Sequence, residues 1–222
     1  MGQYVSTQRQ HWGFWRNLLA RVMGWLRRHA GLCLAGVYRA PIKKQFNEPP
    51  AELHVSLATA QELQPYAEAG LHQLSVSQVA EAFARGDGCV ATYVAGQFAA
   101  HGWVAYAAAP HVGGLWVTFG PGQRYNYKSY TLPEFRGRHI RGSYGVLQPL
   151  DAQHQVTHTI AFIETYNFAS RRAELRNGGV RVGYAGYFRW FGRTVPFRSP
   201  GAAKYGFAFT SRAGERATAN TL

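Results

Sequence analysis

Apolar residues near the amino terminus recur with helical spacing. Drawn at about 100° per residue, nine apolar side chains between residues 12 and 29 share one half of a helical wheel: Trp12, Phe14, Trp15, Leu18, Leu19, Val22, Met23, Trp25 and Leu26. The other half carries the basic side chains Arg16, Arg21, Arg27 and Arg28. The pattern predicts a basic amphipathic helix, which either docks on the rest of the chain or lies in the interface of an anionic membrane.

Segments rich in β-branched and aromatic residues dominate the remaining chain. They predict strands at residues 89–93, 98–107, 115–119, 125–132, 157–165, 180–190 and 204–210. Helices are predicted at residues 75–84 and 170–176, with another after the basic stretch that begins at Arg136. This order predicts an α/β fold of the α+β type, with a mixed, mainly antiparallel central sheet flanked by helices.

Two changes in composition divide the chain. The residues Asn47, Glu48, Pro49 and Pro50 interrupt any regular structure, and the residues after 210 are small and polar. We therefore predict an N-terminal segment at residues 1–47, a main domain at residues 48–210 and a flexible tail at residues 211–222.

The net positive charge indicates which classes of binding partner the surface attracts. The 222 residues include 24 Lys and Arg against 11 Asp and Glu, a formal charge of +13, and the first 47 residues hold eight basic side chains and no acidic one. Such a surface attracts nucleic acid, anionic lipid, a phosphorylated co-substrate or an acidic carrier protein. Nucleic acid is disfavoured because no DNA- or RNA-binding motif is recognisable. A non-enzymatic basic protein that binds nucleic acid or a membrane remains the alternative to an enzyme.

The number of cysteines and the length of the apolar runs indicate where the protein is located and whether it binds a metal. Cys33 and Cys89 are too few for a disulfide framework, and neither has partners at zinc-ligand spacing, so no metal is expected. No run of 18 apolar residues occurs. We expect a cytoplasmic protein. The alternative is a cytoplasmic protein that attaches peripherally to the inner face of the membrane through residues 12–29.

The stretch from Tyr130 to Gly142 combines the end of a predicted strand with a basic turn. After Thr131 and Leu132 it reads Pro133, Glu134, Phe135, Arg136, Gly137, Arg138, His139, Ile140, Arg141 and Gly142. Free backbone N–H groups at such a turn can bind phosphate, and glycine allows the ligand to approach closely. The stretch is therefore a candidate phosphate-binding loop, and the alternative is a solvated turn.

Two motifs in this order resemble the GNAT superfamily of acetyl-CoA-dependent N-acyltransferases. Pro133, Phe135, Arg136, Gly137 and Ile140 match the approach to the pyrophosphate loop of that family. About thirty residues later, Asn167, Phe168, Ala169 and Ser170 match its Asn-x-x-Ser motif, and the resemblance covers roughly residues 75–209. It implies transfer of an acyl group, acetyl or longer, from a CoA thioester to a small-molecule or peptide amine.

The resemblance also implies roles for the matching residues. The backbone of Ser129 would lie near the acyl carbonyl, where its N–H would stabilise the developing oxyanion, and Thr131 and Asn167 would lie along the pantetheine arm. Ser170 would cap the following helix. The phosphates of the donor would be bound by the loop residues Arg136, Gly137, Arg138, His139, Ile140, Arg141 and Gly142.

This chain departs from the family pattern at the loop and at the expected base. His139 and Arg141 stand where the family has small residues, so an acyl carrier protein, whose arm carries one phosphodiester, is an alternative donor to acyl-CoA. Tyr125 and Glu174 replace the usual base and acid. Attack by an amine requires a proton acceptor, and we predict Glu164, at the end of a strand and three residues before Asn167, in this role. The alternative for Glu164 is a solvated surface charge.

Overall fold

The computed structural model describes residues 14–29, 31–42, 49–138, 140 and 145–210, with the backbone alone for residues 14–16 and 28. The α-helices are α1 (Phe14–His29), α2 (Ala60–Glu68), α3 (Val76–Ala84), α4 (Gln148–Gln153), α5 (Phe168–Arg176) and α6 (Pro200–Lys204). The strands are β1 (Cys33–Pro41), β2 (Leu53–Ala58), β3 (Gly88–Val94), β4 (Gln97–Ala105), β5 (Ala109–Pro110), β6 (Trp116–Thr118), β7 (Gln123–Thr131), β8 (His158–Glu164), β9 (Val180–Trp190), β10 (Arg193–Arg198) and β11 (Ala208–Thr210).

The chain forms two compact units that do not follow its order. The first unit consists of Met1–Ala40, Pro110–Thr118 and Phe162–Leu222, and the second of Pro41–Ala109 and Phe119–Ala161. Each unit is therefore assembled from separate stretches of sequence.

The second unit is built on an antiparallel meander. Strands β2, β3, β4 and β7 pair in that order, and β7 also pairs in parallel with β8 over the three residues from Gln123 to Tyr125. Helix α2 begins at a capping box, in which the Thr59 hydroxyl accepts from the Glu62 amide at 3.2 Å and the Glu62 carboxylate accepts from the Thr59 amide at 2.7 Å. Trp103 and Leu63 are fully buried in the core of this unit.

The first unit is also mainly antiparallel. Strand β9 pairs with β1 on one side and with β10 on the other, and β6 pairs with β11. Four residues in the middle of β1, from Ala35 to Tyr38, are buried in succession, which is why its sequence lacks the alternation typical of a half-buried strand. The predicted fold class, a mixed and mainly antiparallel sheet with flanking helices, is confirmed.

Several predicted boundaries differ from the structure. The strand predicted at residues 204–210 was wrong in its first half, because Ser199 caps α6 and Pro200 occupies its first turn, so only Ala208–Thr210 are extended. The helix expected soon after Arg136 begins only at Gln148. The domain limits at residues 47 and 210 stay a prediction, and the predicted N-terminal segment contains β1, which pairs with β9.

Helix α1 is attached to the first unit through a polar side chain. Arg27 donates a hydrogen bond to the Glu164 carboxylate at the end of β8, and its guanidinium lies 3.3 Å from the Tyr166 hydroxyl. The apolar side chains Leu18, Val22 and Trp25 are exposed. The helix therefore docks with part of its apolar face directed to solvent, while Met23 and Leu26 of the same face are half-buried. None of the helices formed by the described residues is long and apolar enough to cross a bilayer.

Candidate functional site

Strand β7 contains a β-bulge at the residue predicted to stabilise an oxyanion. In the ladder with β4, Tyr127 pairs with Trp103 and Tyr130 pairs with His101, so Lys128 and Ser129 together face the single residue Gly102. Lys128 has a φ of 44°, a left-handed conformation that costs energy for a residue with a side chain. A bulge leaves a backbone group outside the ladder. One of the two bulged residues, Lys128 or Ser129, is therefore left unpaired in the ladder with β4.

Gly102 allows the bulge to lie close to β4. A methyl group added to Gly102 would lie 3.2 Å from the Ser129 hydroxyl oxygen, closer than an ordinary van der Waals contact. Lys128 and Ser129 are themselves exposed. The bulge therefore combines close support from the neighbouring strand with access from solvent.

Two histidines lie beside the bulge, and the sequence analysis had given neither a role. The buried His101 donates from Nε2 to the His72 carbonyl at 3.0 Å, which leaves its Nδ1 without a hydrogen-bond partner among the described residues. The Tyr130 ring lies 6.2 Å from the His72 ring and 6.1 Å from the His101 ring. His72, in the short 3₁₀ turn Leu71–Gln73, has a φ of 56°. The positions converge only in the folded chain, and no local motif predicts them.

Both histidines are favoured in their neutral form. Burial lowers the pKa of His72, and the negative charge of Glu134 offsets this only in part. Burial also lowers the pKa of His101, although its hydrogen bond to the His72 carbonyl opposes the shift. The His72 side chain is half-buried, while that of His101 is buried. At neutral pH His72 is therefore a solvent-accessible proton acceptor.

The predicted phosphate-binding loop is described in its first part and at Ile140. The Arg136 guanidinium donates to the Thr131 carbonyl at 3.0 Å, and Ile140 is buried against Phe135 in an apolar cluster with Leu53. Gly137 has a φ of 83°, which favours glycine, and nothing lies within 4 Å of a methyl group added there. The described part of the loop is therefore fastened at Arg136 and Ile140 and open at Gly137 and Arg138. His139, Arg141 and Gly142 lie outside the described residues.

A buried polar group supports β7 just before the bulge. The Tyr127 hydroxyl donates to the buried Asp87 carboxylate at 2.6 Å, and Arg85 donates to the same oxygen at 2.8 Å. Burial raises the pKa of Asp87, and the bonds from Tyr127 and Arg85 oppose this shift. Tyr127 therefore links β7 to Asp87, which lies in the connection between α3 and β3.

Replacing Tyr127 with phenylalanine should lower the free energy of unfolding by about 1 to 3 kcal/mol, because a buried carboxylate loses a charge-assisted hydrogen bond. Chemical denaturation followed by circular dichroism measures this loss. Tyr93→Phe is the control, since the Tyr93 hydroxyl has no hydrogen-bond partner within the described part of the chain and lies in the same unit. Equal losses for the two variants would contradict a special role of the Tyr127 hydroxyl.

Glu164, the predicted base, lies in the first unit against a positive charge. Its carboxylate accepts from Arg27, and the buried Cys33 thiol lies 4.0 Å from it. Burial and then the hydrogen bond with Glu164 raise the pKa of Tyr166 to about 12. The Arg27 guanidinium thus occupies a carboxylate oxygen that a proton acceptor would need to keep open to the substrate. This geometry favours a structural role for Glu164 in holding α1.

The Asn-x-x-Ser motif begins α5 as expected, but the capping residue differs. The Asn167 side-chain oxygen accepts from the Ser170 amide at 3.1 Å, so Asn167 is the N-cap and Ser170 lies inside the first turn. The prediction that Ser170 caps this helix was therefore wrong. Asparagine and serine both cap well, and the sequence alone does not show which of the two ends the extended backbone.

A small cationic cleft lies beside this motif in the first unit. It encloses about 70 Å³ and is lined by Gly36, Tyr38, Thr165, Arg171, Arg181 and Tyr184. Arg171 donates to the Tyr38 hydroxyl at 3.1 Å and to the Thr165 carbonyl at 2.8 Å. The Arg181 guanidinium lies 4.8 Å from the centre of the Tyr184 ring. The cleft is thus polar and positively charged.

Among the described residues, the second unit brings Ser129, Thr131, Arg136, Gly137, Arg138 and Ile140 into one region of β7 and the turn after it. The first unit holds Glu164, Asn167 and Ser170 at the end of β8 and the start of α5. No group of three or more potential metal ligands occurs in the part of the chain that the structure describes.

Comparison with known proteins gives similarity in structure only. No family model and no curated protein sequence matches the chain. A structure described as a GNAT-family acetyltransferase from Novosphingobium aromaticivorans is 14% identical, with a TM-score of 0.49 over 71% of this chain and 63% of that protein. A GCN5-related N-acetyltransferase from Kribbella flavida is 14% identical, with a TM-score of 0.44 over 79% of this chain and 62% of that protein.

A third structure is a GCN5-related N-acetyltransferase from Sphaerobacter thermophilus. It is 9% identical, with a TM-score of 0.46 over 80% of this chain and 55% of that protein. The chain thus spans less than two thirds of the length of each of the three proteins. The solved structures to which it is similar include GNAT acetyltransferases.

Proposed function

We propose that this protein transfers an acyl group from a thioester to an amine. The observation that carries the proposal is the bulge at Lys128 and Ser129, because a bulge leaves a backbone group outside the ladder, and this bulge lies where the sequence motifs lead one to expect an oxyanion donor. The left-handed backbone conformation of Lys128 supports the proposal, since backbone strain of this kind concentrates at functional sites. The Asn-x-x-Ser resemblance is a second, independent support.

The reaction requires few groups from the protein. The amine nitrogen attacks the thioester carbonyl, a C–N bond forms, and the C–S bond breaks as the thiolate leaves. The Ser129 N–H stabilises the negative charge that develops on the carbonyl oxygen. The proton lost by the amine passes to a base, and the thiolate takes a proton as it leaves.

His72 is our candidate for that base. It is accessible, its pKa is lowered by burial, and its ring lies beside Tyr130, the neighbour of Ser129. Glu164 is less suited, because its carboxylate oxygen accepts a hydrogen bond from Arg27. His72 thus takes the role that the sequence analysis gave to Glu164, while Glu164 anchors α1.

The donor is acyl-CoA or an acylated carrier protein. The open backbone at Gly137 and the exposed guanidinium of Arg138 suit an anionic phosphate group, and the positive charge of the chain suits either donor. Calorimetric titration with acetyl-CoA, a long-chain acyl-CoA and the same chain on a carrier protein distinguishes them. Binding to none of the three would contradict the thioester proposal.

The role of the Ser129 amide is tested by two variants of one residue. The assay follows thiol release from the thioester donor in the presence of a mixture of amines. Ser129→Pro removes the N–H and should lower this rate by about 100- to 1000-fold, the usual effect of losing an oxyanion donor. Ser129→Ala keeps the N–H and should lower the rate less than about threefold. Circular dichroism shows whether both variants fold. Similar rates for the two folded variants would exclude the amide from catalysis.

A further inference from the structure

Helix α1 presents an apolar stripe to solvent. Leu18, Val22 and Trp25 follow one another at helical spacing, and Trp25 is 55% exposed. Arg21 lies beside the stripe and is also exposed. In a helix that packs on its own domain the apolar side faces inward. Here Arg27 makes the inward contact, so the apolar stripe is left for another surface.

The turn between β9 and β10 carries a second exposed apolar group. Trp190 and Phe191 are 62% and 90% exposed, and their rings meet edge to face with centres 5.1 Å apart. Phe191 has a φ of 43° and Gly192 a φ of 75°. Asparagine, aspartate and glycine are the residues that favour such a turn. A bulky aromatic residue is strained there, and its exposure shows that packing does not compensate for the strain.

The two apolar groups adjoin one another within the first unit. Gly31, which follows α1, lies so close to Arg189 that a methyl group added to Gly31 would be 2.9 Å from the Arg189 Cβ. Arg189 directly precedes Trp190 in β9. The carboxyl end of α1 therefore lies at the base of the hairpin turn, and Trp25 is one helical turn before that end.

Basic residues surround both groups. Arg189 and Arg193 flank Trp190 and Phe191 and are exposed, and Arg21 flanks the stripe on α1. The first 47 residues contain no acidic side chain. Exposed tryptophan and phenylalanine bordered by arginine match the interface of an anionic bilayer, in which aromatic rings lie at headgroup level and guanidinium groups meet phosphate.

We propose that the stripe on α1 and the Trp190–Phe191 turn together form a docking surface for an anionic lipid bilayer. The surface lies on the bilayer rather than across it. The aromatic rings enter the headgroup region while the arginines neutralise lipid phosphates. This proposal does not depend on the proposed acyl transfer.

Co-sedimentation of the full-length protein with vesicles tests the surface. The vesicles are phosphatidylcholine alone, or phosphatidylcholine with about one third phosphatidylglycerol. We expect binding to the anionic vesicles that weakens as salt is raised, and weaker binding to the neutral ones. The double variant Trp190→Ser with Phe191→Ser should bind the anionic vesicles at least about tenfold more weakly, as should Trp25→Ser.

Val180→Ser is the matched control. Val180 lies at the other end of β9 and is 63% exposed, so the substitution removes an exposed apolar side chain about 30 Å away along the strand. Its vesicle binding should equal that of the unchanged protein. Absence of binding to anionic vesicles, or equal weakening by Val180→Ser, would overturn the proposal. So would sedimentation equilibrium showing a dimer that the Trp190 and Phe191 substitutions dissociate, because a second copy would then occupy the surface.

Discussion

Replacing Asp151 with alanine should lower the free energy of unfolding by about 3 to 5 kcal/mol. Asp151, in α4, accepts a hydrogen bond from Arg124 of β7, and the two side chains are only 8% and 9% exposed. The Tyr106 hydroxyl donates to the other carboxylate oxygen at 3.2 Å. Without the carboxylate, the Arg124 guanidinium remains buried with its charge uncompensated. Chemical denaturation followed by circular dichroism measures the loss.

A double variant distinguishes this explanation from simple loss of packing. Asp151→Ala combined with Arg124→Met removes both charges, and it should be more stable than Asp151→Ala alone because no buried charge is left without a partner. A loss of less than about 1 kcal/mol for Asp151→Ala, which is typical of an exposed ion pair, would contradict the role assigned to Asp151.

Replacing His72 with glutamine should lower kcat for acyl transfer by about 100- to 10,000-fold, the usual contribution of a positioned base. Burial lowers the pKa of His72 from its ordinary value of 6.5, so the neutral, active form persists below that pH. The rate of the unchanged protein should therefore fall with acid only below pH 6.5. Measured kcat/KM as a function of pH should show this acidic limb, and His72→Gln should lose it.

His54→Gln is the control for His72. His54 is exposed on β2 in the same unit, and its ring lies tilted to that of Tyr93, with the ring centres 5.9 Å apart. This variant should keep both the rate and the acidic limb of the profile. If His72→Gln keeps the acidic limb of the kcat/KM profile and a rate similar to that of the unchanged protein, another group serves as the base.

The predicted elements that matched the structure have strong local signals. Val76–Ala84 begins at a serine cap, and Val180–Trp190 is a run of β-forming residues bounded by glycine. Strand β1 escaped prediction because it is buried over Ala35–Tyr38 and contains alanine and glycine, so neither alternation nor β-propensity marks it. Pairing with β9 stabilises it instead, and Leu34 pairs there with Gly186, which lies 152 residues later in the sequence.

The sequence predicted a residue of the candidate site only where a family motif gave its position along the chain. The motif spacing pointed to Ser129, and the structure has a β-bulge at this residue, while its role stays a prediction. His72 was missed because its position depends on a left-handed backbone in a short turn between two helices. The Arg27 partner of Glu164 lies 137 residues away in sequence, a pairing that no local pattern reveals.

The contact between Arg27 and Glu164 makes Cys33 a reporter of helix attachment. Burial, and then the charge of Glu164, raises the pKa of the Cys33 thiol to about 11, and burial raises that of Cys89 to about 12, so neither thiolate is available to an alkylating reagent at neutral pH. The charge of Arg27 in α1 lowers the pKa of Cys33, whereas Cys89 belongs to the other unit. Departure of α1 would therefore change the alkylation rate of Cys33 and leave that of Cys89 unchanged, and a bilayer that draws α1 away would reveal itself in the labelling of one cysteine.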